Sequence, residues 1–236
     1  MSSTAPEIVI LHGWSQDPAP SSKWKPVQAQ LQNMNCSAKV LQLPGFELPL
    51  VTAWGVDEYV AWLQEKFQGK KNLILVGHSF GGHLALSYAV AHPQQVEKLI
   101  LIASSGMRSH SITALCKRSG FLLLAKLGKI FTTSETLRRW LYRATRESDY
   151  LEASAIMRET MRRVIAHEVA EELSAISMPT TLIWGEQDSI TPLAYARRLL
   201  AGIPQAKLQL IPDARHGIPF THSKLVAQYI CEAAHA

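Results

Sequence analysis

Apolar residues along this chain fall into short continuous runs, separated by stretches whose apolar positions have helical spacing. Glu7–Leu11 (EIVIL) is a β-branched run that stops at His12-Gly13. Asn72–Val76 (NLILV) and Val96–Ala103 (VEKLILIA) have the same character. Ala38–Leu43, Thr180–Trp184 and Leu208–Ile211 complete a set of predicted strands. Strands that are apolar throughout bury both faces, as a parallel sheet covered by helices requires. Between them, Val56, Tyr59, Val60, Leu63 and Phe67 recur on one helical face. Lys25–Asn33, Gly81–His92, Leu193–Leu200 and Ser223–Ala234 read as further helices. Strand and helix alternating in this way predict an α/β fold with a doubly wound, mostly parallel sheet.

One stretch breaks the alternation. From Gly106 to about Ile176 no strand pattern occurs, and Leu122–Leu127, Leu137–Ala144 and Ala155–Ala166 have helical character. The expected organisation is a core formed by residues 1–105 and 177–236, with a helical cap over 106–176 inserted between two strands.

Composition narrows the class. The chain has 236 residues and is 47% hydrophobic and 18% charged, which suits a globular domain and is too apolar for a disordered one. It contains no apolar run long enough to span a bilayer. The amino terminus lacks a basic leader, and Ile8–Leu11 is too short for the apolar part of a secretion signal. Cys36, Cys116 and Cys231 are an odd, scattered set without paired or metal-type spacing. A cytoplasmic protein with neither disulfide framework nor metal is therefore expected. The net charge of +5 raises nucleic acid as a partner, but the charge is uneven. Residues 107–163 hold twelve Lys or Arg against five acids, a surplus of seven, so the rest of the chain sums to −2. A basic segment, not a basic protein, argues against nucleic acid.

Gly77-His78-Ser79-Phe80-Gly81 fits G-x-S-x-G and follows a predicted strand and precedes a predicted helix, the context in which that motif exposes a nucleophilic serine. A serine hydroxyl needs an adjacent base, and the base needs an orienting group. Asp188 follows the Thr180–Trp184 strand, and His216 follows Leu208–Ile211. Both loops would lie at the carboxyl ends of parallel strands, beside Ser79, where open α/β sheets build their sites. Glu186 and Asp213 are rival acids, and His222 is the nearest rival histidine. His78 and His83 read as packing or rim residues beside the nucleophile. The residue after the serine, Phe80, would supply a backbone N–H to the oxyanion.

Taken in order, Gly77–Gly81, the G-x-x-D-x-x-x-P pattern of Gly185–Pro192, and His216 resemble the α/β-hydrolase superfamily, from His12-Gly13 to the last helix. The resemblance implies a second oxyanion donor at Trp14, in Leu11-His12-Gly13-Trp14, and a cap that sets specificity. Within that cap, Phe121 and Trp140 would line an acyl pocket, while Arg139 and Arg143 would attract an anionic substrate. An arginine-rich cap together with Leu-His-Gly-Trp is similar to the pimeloyl-acyl-carrier-protein methyl ester esterases, although His78 stands where the best-known members carry Trp. The resemblance implies a carboxylesterase that uses Ser79, Asp188 and His216, with no cofactor. Its expected partners are a small-molecule ester and, as a further candidate, an acidic acyl carrier protein, with no nucleic acid and no membrane. A C–C hydrolase, an aminopeptidase, a perhydrolase and a non-catalytic binding protein of the same fold remain alternatives.

Overall fold

The computed structural model describes residues 7–107 and 153–236. Six strands form one sheet in which every pair is parallel. They are β1 (Glu7–Leu11), β2 (Ala38–Leu41), β3 (Leu73–His78), β4 (Val96–Ile102), β5 (Thr180–Gly185) and β6 (Ala206–Ile211), in the spatial order β2-β1-β3-β4-β5-β6. The doubly wound α/β expectation holds.

The burial of each strand follows its place in the sheet. Every residue of central β3 is buried, whereas edge strands β2 and β6 keep much of their length partly exposed. Ile74 and Leu75 on β3 sit in register with Ile8 and Val9 on β1, so β-branched and leucine side chains stack across adjacent strands. The described helices are α1 (Lys25–Asn33), α2 (Val56–Lys66), α3 (Phe80–Ala91), α4 (Ala155–Ala166), α5 (Leu193–Gly202), α6 (Ile218–Thr221) and α7 (Ser223–His235). Helix α3 is buried almost all round, as its largely apolar sequence dictates. At the start of helix α2 the Gly55 N–H donates to Glu58 Oε2 at 2.7 Å.

Most of the expected cap lies outside the described residues, including the helices expected at 122–127 and 137–144. Helix α4 is described and occupies the expected span. Its Thr160 hydroxyl accepts the Trp54 N–H at 3.1 Å, and Arg163 donates to the Ala53 carbonyl at 2.9 Å. These bonds fasten α4 to the loop that leads into α2. Among the described residues no helix is long and apolar enough to cross a membrane.

The reading of the cysteines needs correction. Cys36, just after α1, and Cys231, on α7, are joined in a disulfide. They are 195 residues apart in sequence, and only the packing of α1 against α7 brings them together. Spacing along the chain carries no trace of that contact.

Candidate active site

Strand β3 runs two residues past its apolar stretch, so that Gly77 pairs with Leu101 and His78 with Ile102 on β4. Ser79 follows directly, held by its own N–H to the Ile102 carbonyl at 3.0 Å, and α3 starts at Phe80. The backbone of Ser79 has φ 52° and ψ −114°, a region that residues with a Cβ seldom occupy. This sharp turn is what lifts the hydroxyl clear of the sheet. It also forces close approach: a Cβ at Gly81 would collide with the Leu11 carbonyl, and one at Gly77 with the Gly81 backbone. The motif glycines are thus explained by contact with β1 and with the first turn of α3.

Asp188 and His216 come from the loops after β5 and β6 and meet Ser79. His216 Nε2 lies 2.9 Å from Ser79 Oγ, and His216 Nδ1 lies 2.8 Å from Asp188 Oδ2. With Nδ1 protonated and donating to the carboxylate, Nε2 presents its lone pair to the serine O–H. Asp188 Oδ1 accepts the N–H groups of Ile190 at 2.8 Å and Thr191 at 2.9 Å. Burial of Asp188 opposes ionisation. The bond and charge of His216, and the bonds from Thr191, outweigh it and hold the carboxyl below its usual range.

The rivals lie elsewhere. Asp213 accepts from the Gln187 side chain at 2.8 Å, and His222 caps the start of α7, bonded to Thr221. Two contributors were not legible as such. The Thr191 hydroxyl sits 2.8 Å from Asp188 Oδ2 and 3.0 Å from the Ala103 carbonyl, so it has one proton to share between them. The only sequence signal is a threonine three residues after the acid. His78, nearly fully buried, donates from Nε2 to the His216 carbonyl at 3.1 Å. Burial, reinforced by the neighbouring His216, pushes the His78 pKa down to about 3, so the ring stays neutral.

The loop after β1 brings Trp14 beside Phe80, with ring centroids 5.7 Å apart. The Phe80 N–H is the first of a helix and has no acceptor within it. Behind this loop, His12 Nδ1 donates to the Gly13 carbonyl at 2.8 Å, and its Nε2 faces Glu47 Oε2 at 3.5 Å. Glu47 in turn accepts from the amide and hydroxyl of Ser21, which ties three segments together. A polar cavity of about 300 Å³ adjoins the loop, lined by Gly13, Trp14, Lys23, His78 and Phe220 among others. Phe121, Arg139, Trp140 and Arg143 lie outside the described residues. Of the arginines on α4, Arg162 and Arg163 both engage Glu159, and Arg158 donates to the Ala153 carbonyl.

A family model described as Serine aminopeptidase, S33 matches residues 55–221, which include Ser79, Asp188 and His216. The chain belongs to the α/β-hydrolase family. The hydrolase YugF of Bacillus subtilis is 26% identical over 69% of this chain, and the match spans 65% of YugF, just under two thirds of its length. A 2-hydroxy-6-oxononadienedioate/2-hydroxy-6-oxononatrienedioate hydrolase of Cupriavidus pinatubonensis is 26% identical over 93% of this chain and 83% of its own. The pimeloyl-[acyl-carrier protein] methyl ester esterase of Nitrosomonas europaea is 26% identical over 91% of this chain and 90% of its own. Among solved structures, an α/β-hydrolase enzyme from a lagoon-sediment metagenome superposes with a TM-score of 0.68 at 24% identity, covering 97% of this chain and 90% of the other. The fold is shared, and the chain is a hydrolase of this family.

Proposed function

We propose that this hydrolase is a cofactor-independent serine carboxylesterase that works through an acyl-enzyme on Ser79. The observation that carries the reading is the relay of 2.9 Å and 2.8 Å from Ser79 through His216 to Asp188, with the serine held on a strained turn. In the first half-reaction His216 Nε2 takes the Ser79 proton while Oγ attacks the ester carbonyl. The oxyanion that develops rests on the N–H groups of Phe80 and Trp14, a preorganised pair whose loss would cost roughly 3 kcal/mol per donor. Nε2–H then protonates the departing alkoxide, leaving an ester on Ser79. In the second half His216 deprotonates a water that attacks the ester, and collapse returns the proton to Ser79 and releases the acid. Asp188 keeps Nδ1 protonated throughout and stabilises the imidazolium.

The cavity of about 300 Å³ beside Trp14 and His78 is of a size for a small ester. An anionic acyl ester, free or on an acidic carrier protein, suits a cap with a basic surplus, and the Nitrosomonas esterase supports that class.

The test is hydrolysis of p-nitrophenyl esters from acetate to decanoate by the wild type and by Ser79→Ala. Turnover lost in the variant supports the reading, and the chain-length optimum sizes the pocket. A second reading, cleavage of a C–C bond next to a ketone, draws support from the Cupriavidus relative. Turnover of a 2-hydroxy-6-oxo-dienoate with no turnover of any ester would favour it.

A further inference from the structure

At the corner where α1 meets α7, three soft or borderline ligand atoms converge well away from Ser79. Cys36 Sγ, Cys231 Sγ and His235 Nδ1 all lie within 4.8 Å of one another. Cys231 and His235 are one turn apart on α7 and face the same way, and Cys36 enters from the turn after α1. His235 Nδ1 is 3.6 Å from Cys231 Sγ and 3.9 Å from Cys36 Sγ. A tetrahedral ion with Zn–S of about 2.3 Å and Zn–N of about 2.05 Å sets sulfur and nitrogen ligands roughly 3.6 Å apart. The histidine already stands at ligand distance from both sulfurs, and only the sulfur–sulfur separation must open.

We propose that with the disulfide reduced, Cys36, Cys231 and His235 form a site for a thiophilic divalent metal of the Zn²⁺ type. The corner is then closed either by a disulfide or by a metal. A thiol reductant supplies two electrons and two protons to the disulfide, giving two thiols. Metal binding then releases both thiol protons as two metal–thiolate bonds form. His235 Nδ1 gives up its bond to the Cys231 carbonyl, now 2.9 Å long, and coordinates as the neutral ring with its proton on Nε2. Cys36 is buried and His235 exposed, which leaves an open face for the ion to enter and for water as fourth ligand. The site also lies in the last turn of α7, the end of the helix dipole that favours a cation.

The test is to reduce the full chain with a phosphine, desalt it without oxygen and titrate it with Co²⁺. The expected result is one Co²⁺ per chain, with a thiolate-to-cobalt charge-transfer band and the intense visible bands of tetrahedral cobalt, both bleached by Zn²⁺. Unreduced protein should give neither band. Cys36→Ser and Cys231→Ser should lose the charge-transfer band, and Cys116→Ser should retain it. His235→Ala should bind with affinity reduced by more than the roughly tenfold that loss of an outer partner costs. Its melting temperature in the oxidised state should match the wild type, so that a folding defect is separable. Absence of the band from reduced wild type would overturn the proposal. So would its persistence in Cys231→Ser, which would move the binding to Cys116 and other histidines.

Discussion

The ring of His78 lies 5.1 Å from that of His216, centroid to centroid, and its Nε2–H holds the His216 backbone carbonyl at 3.1 Å. The residue before Ser79 thereby holds the main chain of His216, whose ring meets the serine hydroxyl. His78→Ala removes that bond from a partly buried carbonyl, at about 1 kcal/mol. The expected outcome is a fall in kcat of roughly tenfold on p-nitrophenyl esters with KM little changed, because the loop position enters the reaction more than substrate capture. A change confined to KM would contradict the positioning role.

Asp188→Asn leaves the shape of the acid and removes its charge. His216 then loses the partner that fixes its tautomer, and kcat should drop by a factor on the order of 10⁴. Thr191→Val, which deletes the hydroxyl beside Asp188 Oδ2, should lower kcat by about tenfold, and Thr191→Ser should restore most of it. Steady-state kinetics of the three variants at one pH separates the two contributions.

Acid stability follows from two buried histidines. Burial, with help from His216, sets the His78 pKa near 3, and burial, with help from His167, does the same for His83, against an ordinary value of 6.5. Between those values the unfolded chain binds protons that the folded chain refuses, so stability is full above 6.5 and declines as pH falls toward 3. Each ring contributes roughly 1.4 kcal/mol per pH unit, or about 2 kcal/mol by a pH near 5. The melting temperature should therefore fall as pH is lowered from about 7 to about 5. His83→Gln should flatten that slope; an unchanged slope would mean the ring is accessible to protons in the folded state.

Gly81→Ala places a methyl against the Leu11 carbonyl, a main-chain atom that cannot turn aside. The strand and the helix must separate, and about 3 kcal/mol or more of stability should be lost. A thermal melt of the purified variant, or its failure to accumulate in soluble form, checks this.

What could be read from the sequence was local. Ser79, Asp188 and His216 each follow an apolar run that ends in a turn signal, so their strands, and the shared edge of the sheet on which they meet, could be placed one at a time. The apolar pattern predicts β3 only as far as Val76, because it gives way there to Gly77-His78. The ladder continues because Leu101 and Ile102 on β4 are there to pair with it. Cys36 with Cys231 lay beyond reach, since their meeting depends on how α1 and α7 pack and on nothing in the residues around either one. Thr191 stands between these cases: its spacing from Asp188 is visible, but the need for a second hydrogen bond to that carboxylate is a property of the folded loop.

The left-handed backbone of Ser79 has a consequence for any effort to make this protein sturdier. A serine in that conformation carries strain of about 1–3 kcal/mol, which glycine would not. Variants sorted by heat resistance alone would therefore drift toward glycine at position 79. Such survivors would outlast the parent on heating and would have lost the hydroxyl on which the proposed chemistry depends, so selection here must score turnover and endurance together.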